Sequence, residues 1–84
     1  MTTPVHLPKP GMGTEEGTVL RWLRGEGEFV RQGEPIVEIE FAKATQELEA
    51  PITGRVSRIF IAEGVTAGVG SVLALIEEAA KEHG

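Results

Sequence analysis

The segment Gly17–Glu40, GTVLRWLRGEGEFVRQGEPIVEIE, decides the fold of this 84-residue chain because it recurs 37 positions later as Gly54–Glu77, GRVSRIFIAEGVTAGVGSVLALIE. Eight aligned positions are identical in the two copies. Apolar positions also match, and Trp22, whose repeat mate is Ile59, is predicted to fill the core. Two copies of one β unit are too few for a solenoid. The repeat therefore predicts a closed pair of sheets related by an internal two-fold axis.

Short apolar runs between turn residues indicate strands throughout the chain. The 11 glycines and five prolines separate runs rich in Val, Ile, Leu and Thr, which is typical of an all-β sandwich or barrel. Residues 37–40 (VEIE) and 46–50 (QELEA) alternate between apolar and polar side chains, so each run has one face on a core and one in water. Four glycines of the repeats are predicted to form tight turns with positive φ. They are Gly27, Gly33, Gly64 and Gly70.

Composition limits the possible function classes. A chain this short forms one small domain without a deep cleft, and its lack of cysteine excludes disulfides, thiol nucleophiles and thiolate metal sites. His6 and His83 are far apart with no Cys or Asp nearby, so we expect no metal site. The net charge of -5 disfavours nucleic acid. No apolar run approaches the ~20 residues that span a bilayer, and the N-terminus lacks a signal-peptide layout, so we expect a soluble protein of the cytoplasm or mitochondrial matrix.

One lysine lies at the junction of the two repeats. Residues 41–44, FAKA, are predicted to form the hairpin tip that joins them, with Lys43 projecting from it. An exposed lysine is usually a solvated surface charge. On a protruding turn between Ala42 and Ala44, however, its amine is also open to acylation by another enzyme. The chain has no nucleophile–base pair or metal cluster, so we do not expect an independent enzyme.

The motifs around Lys43 resemble those of a lipoyl domain from the acyltransferase (E2) component of 2-oxo acid dehydrogenase complexes, which is similar to the biotinyl carrier domains. The resemblance covers nearly all of residues 5–77 and includes EGT, the W-L pair, EG-x-x-V-x-x-GEP, E-I-E before the lysine, K-A after it and E-A-P-x-x-G. It implies a flattened barrel of two four-stranded antiparallel sheets with quasi-two-fold symmetry. Residues 1–77 are then one carrier domain, and residues 78–84 are a polar tail or the start of a linker.

The resemblance also implies a cofactor and partners. Lipoate would be joined by an amide to the side-chain nitrogen of Lys43 by a lipoate ligase or lipoyl transferase. In this family the resulting arm accepts an acyl group from a thiamine-diphosphate E1, passes it to coenzyme A at the E2 core, and is reoxidised by dihydrolipoamide dehydrogenase (E3). The chain would be a non-catalytic carrier that is part of, or accessory to, a dihydrolipoamide acyltransferase of a 2-oxo acid or acetoin dehydrogenase complex.

Five residues are candidates for recognition by a ligase or partner. Glu40 and Gly33 match family positions that help lipoylating enzymes to position the hairpin. The usual tip reads Asp-Lys-Ala, commonly preceded by Thr, whereas this chain has Phe41 and Ala42 before the lysine and Ala44 after it. Strand alternation favours packing of Phe41 at the barrel edge. The alternative is an exposed apolar contact that helps to select the partner.

Two other functions use the same scaffold. A biotinyl carrier of a carboxylase or decarboxylase would share the fold and the lysine, although biotinyl tips usually read Met-Lys-Met. An unmodified barrel would use the scaffold as an adaptor, with Lys43 as a plain surface residue. The segment GTEEG at 13–17 is predicted to lie in the first surface loop, which in this family often contributes to E1 discrimination.

Overall fold

The computed structural model describes residues 1–11 and 13–79, and every regular element in these ranges is a β-strand. The strands are β1 (Thr2–His6), β2 (Glu16–Trp22), β3 (Phe29–Val30), β4 (Pro35–Phe41), β5 (Ala44–Glu49), β6 (Gly54–Ile59), β7 (Thr66–Gly68) and β8 (Val72–Glu78). They form two four-stranded antiparallel sheets with the orders β1-β8-β6-β3 and β5-β4-β2-β7. The predicted all-β fold of two four-stranded sheets is confirmed.

The sequence repeat is also a repeat of strand pairing. Val19 of β2 is opposite Ile39 of β4, and the repeat-related Val56 of β6 is opposite Ile76 of β8. The register of each pair shifts directly after that valine. Even the irregularities of the two halves therefore correspond, as an internal two-fold relation requires.

Matched hydrogen bonds join the two halves. A carboxylate oxygen of Glu63 accepts a hydrogen bond of 2.9 Å from the backbone N–H of Trp22. The repeat-related Glu26 accepts one of 2.8 Å from the backbone N–H of Ile59. The turn of each repeat is thus bonded to a strand of the other repeat. These bonds explain why a glutamate occurs at the same place in both copies. The glycine that follows it has φ of 88° at position 27 and 85° at position 64, a conformation that favours glycine.

The predicted glycine turns are present. Gly33 and Gly70 have φ of 90° and 92°, a region that residues with a Cβ rarely adopt. Their N–H groups donate to the carbonyl oxygens of Ala50 and Leu7 at 3.0 and 2.8 Å. Each turn therefore closes onto the end of an edge strand and fixes where the next central strand begins.

The core lies between the sheets and contains only apolar side chains among the described residues. Its buried members are Val5, Leu7, Val19, Val30, Ile36, Val37, Ile39, Phe41, Leu48, Ala50, Val56, Leu73, Ala74 and Ile76. Trp22 is half-buried and packs against this cluster, with its indole N–H donating to the Ile61 carbonyl at 2.9 Å. The tryptophan therefore lies at the margin of the core, because its polar N–H needs a partner there.

Met1 and the end of β8 lie away from the hairpin between β4 and β5. The turn between β7 and β8 is bonded to the start of β2, where the Val69 N–H donates to the Glu15 carbonyl at 2.9 Å. From there β8 runs away from the hairpin, and the Glu78 N–H donates to the Met1 carbonyl at 2.8 Å. The final strand thus continues to Glu78, one residue into the predicted tail, and residues 80–84 of that tail lie outside the described residues.

Candidate cofactor-attachment site

Lys43 lies in a two-residue turn. The pairing of β4 with β5 closes at Phe41 opposite Ala44, which leaves Ala42 and Lys43 to reverse the chain. Ala42, Lys43 and Ala44 are all exposed. No non-glycine residue of the described ranges has positive φ, so this turn does not need the Asp, Asn or Gly that left-handed turns favour. The departure from the usual Asp-Lys-Ala tip therefore costs the turn little.

Phe41 anchors the base of the hairpin. Its side chain is only 6% exposed and belongs to the core cluster. A Cβ placed on Gly17 would lie 2.9 Å from the Phe41 ring and 2.8 Å from Ile39, so the ring fills the space that the missing side chain leaves. The packing interpretation of Phe41 is confirmed, and the alternative of an exposed apolar contact is wrong because almost none of the ring reaches solvent.

We expect Phe41→Thr to lower the free energy of unfolding by about 3 kcal/mol, because it removes a buried ring and leaves a cavity over Gly17. Urea unfolding followed by Trp22 fluorescence measures this loss. The control is Phe29→Thr, since Phe29 is 43% exposed and we expect a loss below about 0.5 kcal/mol. Equal losses in the two variants would contradict the anchoring role of Phe41.

The other recognition candidates fall into two places. Glu40 is exposed on β4, where it lies opposite Thr45 of β5 and Thr18 of β2, next to the tip. Gly33 precedes the other end of β4, a strand that spans about 20 Å at the usual rise per residue. The structure therefore brings Glu40, Phe41, Ala42 and Ala44 together with Lys43 and leaves Gly33 at the far end.

Sequence reasoning missed part of the loop between β1 and β2. Pro10, Gly11, Gly13 and Thr14 lie beside the hairpin tip and form one wall of a groove of about 380 Å³. The predicted surface loop at 13–17 is correct for its first residues and wrong for the last two. Glu16 and Gly17 belong to β2, because they pair with Gly68 and Ala67 of β7. The sequence predicts a loop here, but no local pattern shows that the loop packs against the hairpin tip.

Metal binding and membrane spanning find no support in the described residues. No group of three or more His, Cys, Asp or Glu side chains in ranges 1–11 and 13–79 could hold a metal ion. The His6 ring nitrogen Nδ1 lies 3.1 Å from the Gly70 carbonyl oxygen, and His83 lies outside the described residues. The same ranges contain no helix that is long and apolar enough to cross a bilayer.

Comparison with known proteins identifies the family. The biotin/lipoyl family model, which has the description "Biotin-requiring enzyme", matches residues 3–76. The chain belongs to the biotin/lipoyl family. Its members have a covalently attached lipoyl or biotin group, and the resemblance drawn from the motifs around Lys43 is confirmed.

Curated relatives are components of 2-oxo acid dehydrogenase complexes. The chain is 38% identical over 80 residues to the dihydrolipoyllysine-residue succinyltransferase component of the 2-oxoglutarate dehydrogenase complex of Bartonella vinsonii subsp. berkhoffii, covering 95% of this chain and 20% of that protein. It is 40% identical over 77 residues to the acetyltransferase component of the pyruvate dehydrogenase complex of Mycobacterium tuberculosis, covering 92% and 14%. It is 44% identical over 68 residues to the pyruvate dehydrogenase E1 component subunit beta of Rhizobium meliloti, covering 79% and 15%. The chain thus spans a fifth or less of these relatives.

A solved structure supports the fold independently. A single-chain, multi-domain long-chain acyl-CoA carboxylase contains a region that superposes on 95% of this chain with a TM-score of 0.79 and covers 7% of that protein. The two sequences are 22% identical over the match. At this identity the similarity establishes the shared fold alone.

Proposed function

We propose that this chain is a lipoyl carrier domain in which the Lys43 side-chain nitrogen forms an amide with lipoate. The observation that carries the proposal is the position of Lys43, exposed in a two-residue turn between two exposed alanines. A ligase needs open access to the amine from several directions, and small neighbours leave that access free. The same exposure suits an arm that must reach several active sites in turn.

The residues present fit such a group. The lysine ammonium first loses a proton, and the free amine then attacks the carbonyl of an activated lipoyl group supplied by the ligase. The new C–N bond replaces the bond from that carbonyl to its leaving group. The nitrogen loses a second proton, and the neutral amide no longer carries the positive charge of the side chain. When bound, lipoate supplies a dithiolane that takes up an acyl group together with two electrons. Phe41 holds the base of the hairpin in the core, so the attachment point stays fixed while the arm beyond it moves.

The bond between β8 and the first residue supports the carrier role. Because Glu78 and Met1 are bonded to each other away from the hairpin, a linker attached to this domain would leave the tip free. A tethered domain raises the effective concentration of its arm at each active site that the linker can reach. The carrier itself contributes attachment and reach, and the chemistry takes place in the partners' sites.

Partners follow from the same proposal. Relatives named as succinyltransferase and acetyltransferase components support docking to an E1, an E2 core and an E3 of a 2-oxo acid dehydrogenase complex. An E1 beta subunit that contains a similar segment supports a place within such a complex without identifying the substrate. Attachment of the group requires a lipoate ligase or lipoyl transferase.

Biotin is the second candidate for the attached group. The family description names biotin, and the carboxylase match shares the fold. Lipoate is favoured because the relatives with 38% and 40% identity are named for dihydrolipoyllysine residues. The Ala-Lys-Ala tip also lacks the two methionines that usually flank a biotinylated lysine.

The deciding experiment is the intact mass of the full chain after co-expression with a lipoyl ligase and a biotin ligase, with both vitamins supplied. We expect one lipoyl increment, which reductive acylation by an E1 and its 2-oxo acid then enlarges by one acyl group. A biotinyl increment would transfer the domain to the carboxylases. Recovery of only unmodified protein would support an adaptor whose lysine is a surface residue.

A further inference from the structure

Two grooves flank the hairpin tip, and they differ in chemistry. One lies between the tip and the loop after β1 and has a volume of about 380 Å³. The other lies between the tip and β2 and β7 and has a volume of about 420 Å³. Both sizes fall near the lower end of the range of about 300–1,000 Å³ in which proteins bind small molecules.

The first groove is mostly apolar and includes the lysine itself. The described residues that line it are Pro10, Gly11, Gly13, Thr14, Phe41, Ala42, Lys43 and Ala44. Apart from Thr14 and Lys43, none of them has a polar side-chain atom. We call this set of residues the loop groove. Phe41 gives the groove one fixed wall because it belongs to the core, and the lining also contains the aliphatic ring of Pro10 and the methyl group of Ala44.

The second groove does not suit an apolar occupant. Glu16 and Glu40 both line it, together with Thr18 and Thr66. The two threonine hydroxyl oxygens are 2.7 Å apart and bond to each other. Phe41 and Ala42 also line this groove, but its polar side chains outnumber them. An aliphatic chain placed there would lie beside hydrated carboxylates, which lose solvation when apolar groups cover them.

We propose that the lipoylated arm of Lys43 rests in the loop groove between visits to partner enzymes. This inference depends on the proposed lipoyl attachment. Unmodified Lys43 has an ammonium group that prefers water, whereas the acylated side chain is a neutral amide followed by a hydrocarbon chain and a dithiolane. Attachment at the edge of the groove makes docking intramolecular, so modest burial of apolar surface is sufficient to populate it.

Docking in an open groove remains partial, and partial docking has a measurable result. If the arm is docked for about two-thirds of the time, any reagent that attacks only the free arm reacts about threefold more slowly. A partner enzyme that binds the undocked arm shifts this equilibrium and releases the arm. The groove therefore shields the dithiolane from solvent reagents without preventing turnover.

The test compares dithiolane reduction in three lipoylated full-length chains: the wild type, Gly11→Leu and Gly25→Leu. A water-soluble phosphine reduces the dithiolane to a dithiol and becomes a phosphine oxide with oxygen from water. Gly11 lines the groove and has no atom within 4 Å of a Cβ placed on it, so leucine there narrows the groove without a clash. Gly25 follows the far end of β2, where the nearest atom to such a Cβ is 3.6 Å away, and it serves as the matched control.

We expect the wild type and Gly25→Leu to be reduced at the same rate and Gly11→Leu about threefold faster. Nuclear Overhauser contacts between the arm and the side chains of Pro10 and Ala44 should be present in the wild type and lost in Gly11→Leu. Complete lipoylation by mass, with equal rates in all three chains and no such contacts, would overturn the docked arm and leave the carrier function standing. Absence of the lipoyl increment would overturn both.

Discussion

The Lys43→Arg chain is expected to keep its unmodified mass under conditions in which the wild-type chain gains one lipoyl group. Arginine keeps the positive charge and a similar length at position 43, so an exposed turn should fold as before. Its guanidinium stays protonated at any pH that a ligase tolerates and has no free amine to acylate. We therefore expect a complete loss of lipoylation, and intact mass spectrometry measures this loss directly.

Position within the turn is tested by two further chains. Lys9 is another exposed lysine, and Lys9→Arg should be lipoylated as fully as the wild type. The double variant Ala42→Lys with Lys43→Ala keeps the composition of the tip and moves the amine by one residue. We expect this chain to be modified far less, because neighbouring turn residues present their side chains in different directions. A lipoyl group on Lys43→Arg at any other lysine would contradict the assignment.

The two related sheets could be predicted because the sequence contains the same unit twice. Every feature that recurs after 37 residues, such as the glycine at 27 and 64 or the valine at 19 and 56, reports a local requirement that both halves share. The tip at Lys43 was predictable for the same reason, since it is the segment that joins the two copies. Local chemistry was sufficient for these features.

Packing between distant segments could not be predicted in this way. The contact of Phe41 with Gly17 joins residues in different strands, and the glycine alone gives no sign of the ring that covers it. The position of Pro10 and Thr14 beside the tip likewise depends on how a long loop folds back. Trp22 was predicted to fill the core, but it is half-buried at the margin of the core, where its indole N–H donates to the carbonyl of Ile61, 39 residues away in sequence.

Gly54→Ala is expected to lower the free energy of unfolding by more than about 4 kcal/mol, a large share of the roughly 5–15 kcal/mol that holds an ordinary domain together. A Cβ at this position would overlap the carbonyl oxygen of Glu77 and lie 2.8 Å from its carbon. Both atoms are backbone atoms of β8, and β8 is paired on each side with β1 and β6. The obstacle therefore cannot rotate away, and relief requires the central pair of strands to separate.

Gly17→Ala supplies the matched control because Gly17 is the repeat partner of Gly54. The atoms nearest to its added Cβ belong to side chains, 2.8 Å away on Ile39 and 2.9 Å away on Phe41. Side chains can shift by a few tenths of an ångström, so we expect a loss of about 1–3 kcal/mol. Urea unfolding followed by Trp22 fluorescence compares the two variants. A loss at Gly54 no larger than that at Gly17 would show that the backbone of β8 yields as easily as a side chain. The close approach of β6 and β8 would then not be what requires glycine at position 54.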